Sequence, residues 1–202
     1  MIRAISLLSL LIILNYAPVI AQHHSDSTRT LRSEYAGQES RLIKSLSPSD
    51  LRQLRNGEGW GLAKAAELNG YPGPKHVLEM SSEIELTGDQ HNQVTALFNA
   101  MKREATRLGM IYIEKEKNLN EAYANGTITP GSLKTLLKEI NNVLADLRYT
   151  HQITHLETRN ILTADQIAEY NRLRGYDSIT DPCSNIPEGH DPVMWKMHNN
   201  CN

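Results

Sequence analysis

The string Leu-Thr-x-Asp-Gln occurs twice in this chain, once from Leu86 to Gln90 and again from Leu162 to Gln166. Each copy reads as a capping box. Thr87 or Thr163 takes the N-cap and accepts a bond from the backbone N–H three residues on, while Gln90 or Gln166 reaches back to the threonine N–H. The intervening aspartate suits the positive end of the helix dipole. One such box says only that a helix begins. A matched pair bracketing a long helical hairpin is far more specific.

The hairpin is legible in the residues between the boxes. Val94, Phe98, Met101, Ala105, Leu108, Tyr112, Leu119 and Ala122 keep a four-three spacing, interrupted at Lys115, which is one face of a long helix. Residues 88–124 would span roughly 55 Å at the helical rise. Ala124-Asn125-Gly126 ends this helix, with Gly126 as a left-handed cap, and Thr129-Pro130 starts the next. The second helix carries Leu133, Leu137, Ile140, Leu144, Leu147, His151, Thr154, Thr158 and Ile161 at the same spacing. So short a connection makes the two helices antiparallel neighbours.

Ahead of the hairpin, residues 1–21 read as a secretory signal: Arg3, an apolar run from Ile5 to Leu14, and Val19-Ile20-Ala21 as the cleavage site. The competing reading is a membrane anchor, but the apolar run is too short to cross a bilayer. The remainder is expected to be exported, with no membrane insertion once the signal is removed. Residues 22–40 are polar, include His23-His24, and have no hydrophobic period, so they read as a disordered leader. Residues 41–85 form a helical preface. Ser47-Pro48 starts its first helix, Leu62–Leu68 a short second one, and a third runs from His76 to Ile84. The Gly57-Glu58-Gly59-Trp60-Gly61 joint follows no strand and lacks the lysine of a phosphate loop. Trp60 is expected to pin the preface onto the hairpin.

After the second box, Ile167, Tyr170 and Leu173 share a face of a last helix that Gly175 terminates. Residues 176–202 form an irregular tail with no period, holding Cys183, Met194, Met197, His198 and Cys201. Two readings compete there. Cys183 and Cys201 form a disulfide in an oxidising compartment, or Cys201 joins Met194, Met197 and His198 in a soft-metal site.

The formal charge of −2 becomes one unit more negative without Arg3, which argues against nucleic acid as a partner. The scarcity of aromatic residues makes a thick core hard to build and favours an open helical shape. No G-x-S-x-G, H-E-x-x-H or dinucleotide fingerprint is present, so the chain reads as non-catalytic.

An all-helical exported chain with LTxxQ boxes at 86–90 and 162–166 around a helical hairpin resembles the Spy/CpxP-like periplasmic family. The resemblance covers about residues 76–174 and implies a cradle-like helical homodimer. It also implies ATP-independent chaperone-like holding of unfolded clients, contact with a membrane-bound stress-signalling protein, or heavy-metal sensing. The departure is charge: this chain is slightly acidic, where chaperone members are basic on the cradle.

His151 and His155 carry the metal alternative. At i and i+4 on one helix both imidazoles can reach one ion. His151 also replaces a leucine on the seam. The antiparallel register sets it opposite roughly residue 102, within about one helical turn, a neighbourhood that holds Met101 and Glu104, either of which can complete a zinc, nickel or copper site. The structural alternative makes His151 a satisfied seam histidine and His155 a surface residue. The expected architecture is all-α, a long antiparallel hairpin (86–175) with short flanking helices.

Overall fold

The computed structural model describes residues 33–176, 183, 186 and 189–201. Residues 1–32, on which the expected signal and most of the expected leader fall, lie outside them. Contacts divide the chain into Met1–Ala36 and Gly37–Asn202, and every element below belongs to the second unit. No strand occurs among the described residues, and the fold is all-α.

Three short helices come first: α1 (Pro48–Arg55), α2 (Lys64–Glu67) and α3 (Pro74–Glu79). The long pair follows, α4 (Gly88–Ala124) and α5 (Pro130–Ile161), then α6 (Ala164–Leu173) and α7 (Pro192–His198). Helix α4 has 37 residues and α5 has 32, and the two pack along each other. Gly126, at φ 66°, follows the Asn125 cap of α4 and opens the connection in the left-handed region where a side chain would be strained. Thr129 caps α5 ahead of Pro130.

Some boundaries differ from the sequence reading. Helix α3 starts two residues earlier, because Pro74 takes the first helical position, and stops at Glu79 rather than at Ile84. The leader ends in a 3-10 turn at Gln38–Ser40. The tail contains α7, which Asp191 caps by accepting from the N–H groups of Val193 and Met194. Cys183 and Cys201 are joined by a disulfide, which removes the thiolate from the soft-metal alternative.

The hairpin seam carries two apolar cores. Ile43, Leu46, Leu54, Ala105, Leu108, Tyr112, Ile113, Ile140 and Leu147 form the first, where the preface lies on α4. Val77, Ile84, Val94, Leu162 and Tyr170 form the second, at the LTxxQ end. Burial of each such aliphatic side chain contributes about 1.5–3 kcal/mol. Close approach of α1 to α4 depends on Gly109, where a Cβ would stand 2.2 Å from the Leu54 carbonyl oxygen. Trp60 pins this contact as expected: its ring meets Tyr112 edge-on at 5.5 Å and its Nε1–H donates to Asp50 at 2.9 Å. The break in the seam at Lys115 is a cross-hairpin ion pair, Lys115 Nζ to Glu139 Oε2 at 2.6 Å. Glu116 beside it is buried and accepts from the Ser45 hydroxyl at 2.7 Å.

Both capping boxes are complete. The threonine oxygens accept from the glutamine N–H groups at 3.2 Å, and the glutamine oxygens accept from the threonine N–H groups at 3.0 Å. The two glutamine side chains also bond each other. Gln90 Nε2 donates to Gln166 Oε1 at 2.8 Å, and Gln166 Nε2 donates back to Gln90 Oε1 at 2.9 Å. The remaining amide hydrogens go to the residues just before the opposite motif, Ile161 O at 2.9 Å and Glu85 O at 3.2 Å. The pair therefore makes the two helix starts one unit. In a double-mutant cycle of Gln90→Ala and Gln166→Ala, urea unfolding is expected to show a coupling energy of about 1 kcal/mol or more. Strict additivity would mean that the amide pair contributes nothing beyond two independent caps.

Candidate functional site

Between the two apolar cores the buried face of α5 turns polar. After Leu147 its buried positions are His151, Thr154, His155 and Thr158. The threonines satisfy themselves on their own helix: Thr154 Oγ1 donates to His151 O at 2.7 Å and Thr158 Oγ1 to Thr154 O at 2.6 Å. Thr154 Oγ1 also lies 3.3 Å from the Met101 sulfur, which fixes the hairpin register at this level.

His155 is covered by the turn between α2 and α3. Its Nδ1 lies 2.7 Å from the Tyr71 carbonyl oxygen. A carbonyl only accepts, so Nδ1 carries the hydrogen, and in the neutral ring Nε2 keeps a free lone pair. Glu67 Oε2 stands 3.6 Å from the same Nδ1. Gly73 makes room for this meeting, since a Cβ there would come within 2.9 Å of the His155 ring and 3.1 Å of Glu67 Oε2.

Glu67 is a hub tying the preface to the end of α6. Tyr170 Oη donates to Glu67 Oε1 at 2.5 Å and accepts from Gly73 N–H at 3.3 Å. Tyr176 Oη donates to the same carboxylate oxygen at 3.0 Å and accepts from Arg174 at 3.1 Å. Arg174 Nε sits 3.3 Å from Glu67 Oε1, an ion pair without the alignment of a hydrogen bond. Burial first and the Glu67 contact second hold the Tyr170 phenol above its ordinary range, so it remains a donor. Across the same turn, the Arg159 guanidinium lies 4.5 Å from the Tyr71 ring centre.

Glu67, Gly73, His155 and Arg174 border a cavity of about 850 Å³ between the preface and the hairpin. Its walls include His151, His155, Met101 and Phe98 from the hairpin, Trp60 from the glycine joint, and Glu67 from α2. His151 is 3% exposed, and its Nε2 has no hydrogen-bond partner.

Of the sequence-predicted ligands, His151, His155 and Met101 thus reach one cavity. Glu104 does not. It lies on the outer side of α4, where Arg107 engages it through two bonds at 2.9 and 2.6 Å. Nor is His155 a surface residue, because the preface folds over it. Among the described residues, no three His, Cys, Asp or Glu side chains converge to hold a metal ion. Sequence reasoning missed Glu67, Tyr71, Tyr170 and Arg174. The one available signal was Gly73, set between two prolines next to a tyrosine.

The fold and site define an all-α helical-hairpin protein with a buried polar belt. The chain matches no family model, no curated protein and no solved structure. The resemblance to the Spy/CpxP-like family thus rests on the LTxxQ boxes and the hairpin between them.

Burial first and the neighbouring His155 second push the His151 pKa from 6.5 down to about 4. An unfolded chain takes up this proton near pH 6.5. The stability contributed by the neutral buried ring is therefore complete above pH 6.5 and is lost as the pH falls toward 4, by about 3 kcal/mol in all. His151→Leu is expected to flatten the decline of the urea midpoint over that interval relative to wild type. Parallel pH profiles for the two proteins would refute this assignment.

Proposed function

We propose that this chain is a non-catalytic envelope-stress protein that holds unfolded clients without nucleotide. The observation behind the reading is a set of apolar side chains that the long helices leave exposed. Met110 and Tyr123 on α4, and Leu137, Tyr149 and Leu156 on α5, are 42–67% exposed. Exposed apolar side chains on a rigid scaffold mark interaction surfaces when they act together. Support also comes from the LTxxQ boxes, through the family they resemble. In this role the chain works in the periplasm as a homodimer, and its partners are unfolded proteins or a membrane-bound stress-signalling protein. At near-stoichiometric amounts it is expected to slow aggregation of a denatured client without ATP. Met110→Ser with Tyr149→Ser should weaken that protection while leaving the melting temperature within a few degrees, since neither residue belongs to the two cores. No protection across several clients, at low and moderate salt, would reject the reading.

A second reading, metal binding, is favoured by a separate observation: His155 Nδ1 is tied to a backbone carbonyl. Metal-ligating histidines are commonly oriented in this way, with the other nitrogen free. With Glu104 engaged elsewhere, the donors left are two imidazoles and the Met101 thioether. That set suits copper(I) better than zinc or nickel. Copper(I) is expected to raise the melting temperature of wild type by linkage to the folded state, and not that of His151→Leu. Calorimetry showing no copper(I), zinc or nickel binding tighter than about 100 µM would remove this reading.

A further inference from the structure

The pair Asn-Gly occurs at 56–57, 69–70 and 125–126, each time just past the end of a helix. All three close the helix in the same way. The glycine takes a left-handed φ of 60°, 75° or 66°, and its N–H donates three residues back, to Leu54 O, Glu67 O or Tyr123 O. The next N–H donates five residues back, to Gln53 O, Ala66 O or Ala122 O. The three asparagines are all exposed, so solvent access does not tell them apart. Their surroundings do.

In the preface both members of each pair are held. Asn56 Nδ2 donates to Glu58 Oε1 at 3.1 Å, and Gly57 is buried where a Cβ would stand 2.7 Å from Lys102 O and from Thr106 Oγ1. Asn69 Nδ2 donates to Ala65 O at 2.7 Å, and a Cβ at the half-buried Gly70 would lie 3.5 Å from Asn171 Nδ2. At the hairpin tip neither restraint exists. The Asn125 amide has no hydrogen-bond partner among the described residues, Gly126 is exposed, and a Cβ there would meet nothing within 4 Å. The turn is held by its two backbone bonds and by the Thr127 hydroxyl, which donates to Ala122 O at 3.3 Å. Exposed helix ends of this kind open locally at low cost.

We propose that Asn125 is the site at which the folded chain undergoes deamidation. The backbone nitrogen of Gly126 gives up its proton to water and attacks Asn125 Cγ. A new C–N bond forms, the Cγ–Nδ2 bond breaks, and the amide nitrogen leaves as ammonia, which closes a five-membered imide. Water then opens the ring at Cγ to give aspartate, or at the main-chain carbonyl to give isoaspartate. Glycine as the following residue places no Cβ beside the attacking nitrogen. The reaction needs only water, and rotation of Asn125 ψ away from its helical −2°. Either product makes the formal charge of −2 one unit more negative. The new carboxylate stands at the C-terminal end of α4, which disfavours negative charge, and isoaspartate adds a methylene to the main chain within the cap. The modification therefore loosens the closed end of the hairpin.

The test is incubation of the full chain in mildly alkaline buffer, folded and in concentrated urea, followed by peptide mass mapping of the three sites over time. In the folded chain Asn125 is expected to lose its amide about tenfold or more faster than Asn56 and Asn69. In urea the three should react at closely similar rates, because each is followed by glycine and none is held. Asn125→Gln lengthens the side chain and disfavours ring closure, so it should remove the acidic species that accumulates in folded wild type. Asn56→Gln and Asn69→Gln should leave that species in place. Any one of three results would overturn the proposal: equal loss at the three sites in the folded chain, faster loss at Asn56 or Asn69, or an intact Asn125 over a time in which the urea-unfolded chain loses all three amides. The readout is covalent chemistry at the hairpin tip, so it can fail or succeed independently of client holding and of metal binding.

Discussion

The reciprocal amide pair of Gln90 and Gln166 is the constraint on which the rest of the fold depends. Each glutamine oxygen accepts from its own threonine N–H and from the other glutamine's amide. Each nitrogen donates to the other glutamine and to the carbonyl just before the opposite motif. Each motif caps its own helix, and the amide pair joins the two helix starts, which gives the repeat of the string a structural role. The pair fixes where α4 leaves and where α5 ends. With the turn at Gly126 fixing the other end, the register of the whole seam follows. Met101 then meets Thr154, and the second core closes around Val94, Leu162 and Tyr170.

This constraint also explains which parts of the structure were legible in the sequence. Helix starts, the left-handed cap and the seam period are set by residues within four positions of one another, so they can be read locally. The bounds of α4, α5 and α6 came out that way. Even the level of Met101 opposite the histidines followed from the turn position and antiparallel geometry. Glu104 was misplaced because register gives the level along a helix and not the direction of a side chain around it. Arg107, one turn away, gives Glu104 a nearer partner on the outer face.

The rest of the site was not legible because it is assembled from single residues that are distant in sequence. Glu67 lies in a one-turn helix with no pattern to mark it, yet it takes bonds from Tyr170 and Tyr176 and a contact from His155. Nothing local specifies how the 41–85 preface folds over α5, so His155 looked exposed. Close approaches decide the matter: Gly57 against Lys102 and Thr106, Gly73 against His155, and Gly109 against Leu54. In each case what matters is the missing side chain, and a sequence shows only that a glycine is present.

The polar belt of α5 shows why the cavity side of the hairpin differs from its two cores. Aliphatic residues at 151, 154, 155 and 158 would continue the apolar stripe of Ile140 and Leu147. Three of the four polar residues have a structural explanation. Thr154 and Thr158 bond their own helix, and His155 holds the Tyr71 turn in place. His151 has none: it sits at a leucine position, is kept neutral by burial, and leaves Nε2 unmatched. A histidine there lowers stability as the pH falls, which leucine would not. At this position the chain forgoes packing for a nitrogen that the folded chain itself leaves unbonded.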